Sequence, residues 1–268
     1  MADYELGIIG AGNMAEALLR GVLRVEVIPA GRIVAADPDE DRRRRVREQL
    51  GVECVADSAT PASCPRVLLA VKPQAVGDVC RAIAARVRPE ATVISIAAGI
   101  PTRVLDAQLG GRGRIVRVMP NTPMLVGAGA AALAAGPRAT DADIRWTEGL
   151  FAASGATVVL DEPLLDAVTA VSGSGPAYFF YLIEAMIEAG IEEGLTAATA
   201  RMLAVQTCAG AAKLLERTGD SPATLRRGVT SPGGTTEQAI ASLEADSVKE
   251  ALVRAIRAAA DRSRELGA

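Results

Sequence analysis

Apolar residues in the first part of the chain fall in short unbroken runs bounded by turn or polar residues, several of them followed by a stretch with helical spacing. Runs of that length bounded by turn residues read as strands covered on both faces. The first, residues 6–9, ends in Gly10-x-Gly12-x-x-Ala15, after which Leu18, Leu19 and Val22 mark one face of a helix. Residues 32–37, 67–71, 92–96, 115–119, 130–134 and 157–160 repeat the strand pattern, and helices are predicted over 74–87 and 141–154. Strands alternating with helices in this way predict a mostly parallel, doubly wound sheet.

Near Asp161-Glu162-Pro163 the pattern changes, and no further strand is predicted. Helices are expected over 164–171, 176–194, 196–217, 221–229, 235–243 and 247–266. Ser221 before Pro222 marks one helix start, and Thr235 with Gln238 and Ser247 with Glu250 have the spacing of capping boxes. The segment 176–194 is apolar on more than one face, through Tyr178, Phe179, Phe180, Leu182, Ile183, Met186 and Ile187. A helix apolar all round must be covered all round. A small helical domain hardly does that alone, so an interlocked homodimer is expected. The alternative is a central core helix within one monomer.

The first glycine turn has the order that a dinucleotide requires: strand, glycines, helix. Gly10 permits the tight turn, Gly12 lets backbone approach a pyrophosphate, and Ala15 lets the helix pack against the strand. N–H groups at the helix start, with the helix dipole behind them, attract phosphates. The alternative is an ordinary βα turn. Asp37, at the end of the second predicted strand, stands where a carboxylate meets an adenosine ribose, which favours NAD(H). Arg42-Arg43-Arg44-Arg45 follow, either as a solvated helix face or with one of them neutralising a 2′-phosphate. The fold class is thus an α/β Rossmann-type N-terminal domain, residues 1–161, plus an all-α C-terminal domain, residues 162–268.

Composition narrows the chemistry. The chain holds no histidine, which removes His-based triads, bases and metal ligands. A net charge of -3 gives no case for nucleic acid or a membrane surface. Cys54, Cys64, Cys80 and Cys208 lack metal-site spacing, so no metal is expected and reduced thiols in a cytoplasmic protein are. No secretory signal and no membrane-spanning run are expected. A second glycine turn, Ser231-Pro232-Gly233-Gly234-Thr235-Thr236, opens a helix. It reads either as a well-capped connection or as an anion site for a substrate carboxylate, with hydroxyls on Ser231, Thr235 and Thr236. The turn Ser172-Gly173-Ser174-Gly175-Pro176 reads first as close backbone packing.

Taken in order, these stretches resemble the pyrroline-5-carboxylate reductase family over nearly the whole chain. The matching residues are 7–14, Leu69-Ala70-Val71-Lys72-Pro73-Gln74, Ala97-Ala98-Gly99, Met119-Pro120-Asn121-Thr122-Pro123, 171–178 and 231–236. The resemblance implies a helical dimerisation domain, a homodimer or a ring of dimers, and reduction of 1-pyrroline-5-carboxylate to L-proline. It implies NADP(H) as cofactor, although Asp37 replaces the small hydroxyl residue common in the family and keeps NAD(H) open. Cofactor contacts are implied for Ile9, Gly10, Ala11, Gly12, Asn13, Met14, Asp37, Ala70, Val71, Lys72, Pro73, Ala97, Ala98, Gly99 and Asn121. Thr236 falls on the substrate-bonding hydroxyl, with Ser231, Gly233, Gly234 and Thr235 lining the same pocket and Glu162 where a carboxylate approaches the substrate in some relatives. Two readings compete: a related imine or β-hydroxyacid reductase, and a non-catalytic dinucleotide-binding protein. Hydroxyacid reductases usually carry an active-site Lys on the long helix, and 176–194 has none.

Overall fold

The structure is a computed structural model that describes residues 3–267. By compactness the chain forms two units. One comprises the residues up to Ser174 together with those from Ala259 onward, and the other is Gly175–Ala258.

The first unit is built on an eight-stranded sheet: β1 (Leu6–Ile9), β2 (Ile33–Ala36), β3 (Glu53–Val55), β4 (Arg66–Leu69), β5 (Thr92–Ser95), β6 (Arg114–Pro120), β7 (Gly129–Ala135) and β8 (Gly155–Val159). Their spatial order is β3-β2-β1-β4-β5-β6-β7-β8. All neighbours are parallel except β6 and β7. That exception has a local cause. Only a 3-10 turn, Thr122–Val126, joins β6 to β7, too little chain for the crossover that parallel strands need.

Helices α1 (Asn13–Arg24), α2 (Glu40–Leu50), α3 (Ala59–Ala62), α4 (Pro73–Ile83), α5 (Thr102–Gln108) and α6 (Asp141–Ala152) connect the strands. Successive strand side chains alternate between the faces. Leu6, Ile8, Leu68 and Ile94 join Leu18, Leu19 and Phe151 in one core. Ile9, Val67, Leu69 and Val93 join Val76, Cys80 and Leu105 in the other. Both faces are therefore covered, as the unbroken apolar runs required. Cys54, Cys64 and Cys80 are buried free thiols, and burial pushes each up to about 11.

The sequence reading missed β3, α3 and α5. Each is short, and β3 is an edge strand with little apolar signal of its own. The expected helix over 164–171 is instead a 3-10 turn (Glu162–Leu164), a single helical turn α7 (Leu165–Val168) and a π-turn (Thr169–Gly173). A Cβ on Gly173 would lie 2.5 Å from the Met119 side chain, so this glycine serves close packing.

The second unit contains α8 (Gly175–Glu192), α9 (Ala197–Thr218), α10 (Pro222–Gly228), α11 (Thr235–Ala245) and the beginning of α12 (Val248–Gly267). α8 and α9 pack closely, with Gly190 against Ala200. Ser221 caps α10 as expected, its hydroxyl accepting from the Thr224 N–H. Two other expected caps do not form. Ser247 has φ 54°, not the extended backbone that an N-cap needs. Gly234, not Thr235, is the N-cap of α11. α8 is not a buried central helix either: Phe179, Phe180, Tyr181 and Leu182 are all exposed.

Candidate active site

The carboxyl ends of β1, β2, β4 and β5 form one edge of the first unit. Chain order reverses between β1 and β4, and open α/β sheets bind ligands at such a switch point. Gly10 follows β1 with φ 96°. A Cβ there would sit 2.7 Å from the Ala70 carbonyl oxygen, so the turn demands glycine. Gly12 is the extended N-cap of α1 and offers no side-chain cap. Nothing lies within 4 Å of where its Cβ would be. The first N–H groups of α1 thus open onto free space, a cradle that fits a pyrophosphate.

At the end of β2, Asp37 is almost fully buried. Its Oδ2 accepts from the Ala11 N–H at 2.8 Å and its Oδ1 from the Asp39 N–H at 3.0 Å. The Arg42 guanidinium lies 3.5 Å from Oδ2. The carboxylate ties the glycine turn to the end of β2, and its charge is compensated. The four consecutive arginines separate by partner. Arg43 donates to the carbonyls of Asp37 and Pro38, Arg44 pairs with Asp41, and Arg45 faces Glu16. Arg42 alone of the four reaches the Asp37 carboxylate.

Beyond β4, the Ala70 N–H donates to the Ile9 carbonyl at 2.8 Å and extends the pairing with β1 by one residue. Lys72 is the N-cap of α4 and Pro73 its first residue. Ala97, Ala98 and Gly99 follow β5 at the same edge, with Ala97 and Gly99 buried. Asn121 stands at the end of β6, with both ends of its amide engaged. Its Oδ1 accepts from the Ala130 N–H at 2.8 Å, and its Nδ2 donates to the Ser172 carbonyl at 3.2 Å.

Glu162, the carboxylate that the family resemblance puts near the substrate, has partners within the chain. Its Oε1 accepts from the Thr102 N–H and its Oε2 from the Thr102 hydroxyl, both at 2.7 Å. Arg117, buried on β6, approaches Oε1 at 3.3 Å. Both oxygens are held inside the first unit, at the start of α5. The sequence reading overlooked Thr102 and Arg117. Only the Pro101-Thr102 step hinted at a helix start, and the pairing spans too much chain for any local pattern.

The second unit carries the other glycine turn. The Gly234 N–H donates to the Ser231 carbonyl at 3.0 Å, and Gly233 has φ 72°. Thr235 and Thr236 occupy the first turn of α11, Thr235 exposed and Thr236 half-buried. Glu237 reaches back, its Oε2 accepting from the Gly233 N–H at 2.8 Å. It therefore holds the Gly233 N–H that the sequence reading left for an anion, while the N–H groups of the first helical turn have no intrahelical acceptor.

Comparison with known proteins identifies the family of the chain. Residues 162–266 match the family described as pyrroline-5-carboxylate reductase dimerisation. Residues 5–99 match the family described as NADP oxidoreductase coenzyme F420-dependent. A pyrroline-5-carboxylate reductase of Pseudomonas aeruginosa is 44% identical over 268 residues, covering 99% of this chain and 98% of its own. The chain belongs to the pyrroline-5-carboxylate reductase family. The Arabidopsis thaliana reductase is 41% identical, over 98% of this chain and 96% of its own. Among solved structures, the Coxiella burnetii reductase superposes with a TM-score of 0.92 at 37% identity, covering 99% of each chain. The Plasmodium falciparum reductase, solved with NADP bound, gives 0.90 at 29% identity, with complete coverage of both chains. The family membership makes this chain a nicotinamide-dependent oxidoreductase of proline biosynthesis with a dimerisation domain. Among the described residues no helix is long and apolar enough to cross a membrane.

Proposed function

We propose that this chain reduces 1-pyrroline-5-carboxylate to L-proline in the cytoplasm, with NADPH or NADH as reductant. The observation that carries the reading is the open cradle above Gly12, in a chain that matches these reductases end to end. The reduced nicotinamide, when bound, supplies a hydride from C4 to the imine carbon. A proton on the ring nitrogen completes the amine.

The chain's own residues bind and orient. The backbone of residues 9–14 and the start of α1 hold the pyrophosphate, and residues 70–73 and 97–99 line the nicotinamide side. Ser231 and Thr235, with the first N–H groups of α11, fix the substrate carboxylate. The Thr236 hydroxyl hydrogen-bonds the ring nitrogen. A cyclic imine is protonated readily by solvent, so the chemistry needs no histidine, and catalysis rests on positioning. The active species is a homodimer, or a ring of such dimers, formed through residues 162–268; residues 1–161 bind the dinucleotide.

Thr236→Ala is the direct test. A hydrogen bond to a charged ring nitrogen contributes about 1.5–3 kcal/mol. The variant is expected to lose roughly ten- to a hundredfold in kcat/KM for the imine, with its affinity for the dinucleotide unchanged. Unaltered turnover and imine affinity would remove Thr236 from the mechanism. Imine-dependent loss of nicotinamide absorbance in the parent separates reductase from binding protein.

A further inference from the structure

The loop after β5, residues 97–101, is gripped by two segments from far along the chain. The first is Glu162, bidentate to the N–H and hydroxyl of Thr102 and backed by buried Arg117. The second is the end of α12. Gly99 is buried with φ 75°, and a Cβ there would lie 2.9 Å from the Leu266 Cβ. Conversely, a Cβ on Gly267 would lie 2.5 Å from the Gly99 carbonyl oxygen and 3.7 Å from Pro101. The last turn of α12 is itself anchored: the buried Ser263 donates its hydroxyl to Asp166 at 2.6 Å. Asp166 and Glu162 lie within one short stretch, so both grips converge on the same part of the chain.

We propose that Glu162 and the Leu266–Gly267 turn form a clasp that sets the shape of the nicotinamide-side loop. Glu162 is then a positioning residue for hydride transfer, not a substrate contact. The proposal rests on the reading that residues 97–99 border the nicotinamide. Two features set the loop apart from an ordinary βα connection. Its central glycine has a left-handed backbone, and both flanks are pinned by partners outside the sheet. A loop held only by its own strand would be free to shift by tenths of an ångström, and hydride transfer is sensitive to displacements of that order. The pyrophosphate and adenosine contacts, on the other side of the switch point, would not register such a shift.

The test compares Glu162→Gln and Gly267→Val with the parent. For each variant, binding of NADPH and NADH is titrated, the emission of the bound reduced nicotinamide is recorded, and kcat and KM for pyrroline-5-carboxylate are measured. The expected result for both is a kcat reduced about tenfold, with dinucleotide Kd and imine KM within twofold. Bound-nicotinamide emission is expected to move toward that of the free cofactor. A raised imine KM with unchanged kcat in Glu162→Gln would make the carboxylate a substrate contact and overturn the proposal. Parent-like kcat and emission in both variants would also overturn it. If one variant fails to fold, the other decides, because each loosens a different flank of the loop. Emission depends on dinucleotide binding alone, so it still reports on the clasp if the parent fails to reduce the imine, an outcome that would count against the proposed function.

Discussion

At the scale of single residues, the proposed adenosine end turns on Asp37 and Arg42. An acid at the end of the second strand argues from sequence for a free ribose and against a 2′-phosphate. The structure changes the weight of that argument. The Asp37 carboxylate accepts two backbone N–H groups and faces Arg42, so its charge is largely neutralised within the turn. Arg42 is about half exposed and held only by long contacts, 3.5 Å to Asp37 and 3.8 Å to Asp39, which leaves it free to turn to a phosphate. Arg42→Ala is therefore expected to raise the Kd of NADPH about tenfold while leaving that of NADH unchanged. Because the group is exposed, the difference should shrink as salt rises. Isothermal titration of both cofactors at two ionic strengths checks this. Equal losses for both cofactors would assign Arg42 to the turn's stability instead. Asp37→Ser frees the guanidinium and is expected to shift the Kd ratio toward NADPH, at a cost in stability from the Ala11 N–H left without its acceptor.

At the scale of elements, the capping of α6 shows how a local signal grows into a tertiary one. Thr140 is the N-cap of α6, and Asp143 completes a capping box with it. Asp143 also accepts two hydrogen bonds from Arg114 on β6, at 2.7 and 2.9 Å, and one from the Thr92 hydroxyl on β5. Burial alone would raise this carboxyl, but the bonds from Arg114, Thr140 and Thr92 outweigh it and hold the group well below the usual carboxylate range. A depressed folded-state value means that the stabilisation is fully present above the unfolded value, about pH 4. It is lost as pH falls through the range below. Asp143→Asn is expected to cost about 3 kcal/mol at pH 7, by leaving Arg114 without its partner. The gap between variant and parent should close as denaturation is measured toward pH 2, and a gap independent of pH would refute the ionic account. The sequence made the strands and long helices legible because their apolar runs and spacing are local. It made the two glycine turns legible because backbone geometry constrains their composition. It missed β3, α3 and α5, which take their shape from neighbours. It placed the start of α11 correctly at Thr235 but misassigned the cap, which is Gly234, with Glu237 reaching back to Gly233. It singled out Glu162, but Thr102 and Arg117, which hold its carboxylate, lie too far away in sequence to be read from it.

At the scale of the whole molecule, α8 states what the monomer lacks. Its apolar residues go most of the way round the helix, yet Phe179, Phe180, Tyr181 and Leu182 are between 54% and 77% exposed. Adjacent large apolar side chains left in water mark a surface awaiting a partner. The alternative of a central core helix is thereby excluded, and the match of residues 162–266 to a dimerisation family supplies the kind of partner: a second copy of this chain. If association covers these side chains, each is expected to contribute about 1.5–3 kcal/mol. Phe180→Asp is expected to act in a way that separates interface from fold. In the free chain it alters an exposed position and should leave helix content unchanged. In the dimer it buries an unpaired charge, which costs several kcal/mol and shifts the equilibrium toward monomer. Sedimentation velocity over a concentration series is the measurement. The parent should sediment as a dimer or a larger even assembly, and the variant as a monomer at micromolar concentration with parent-like circular dichroism. A variant that keeps the parent's sedimentation coefficient would show that this face of α8 lies outside the subunit contact.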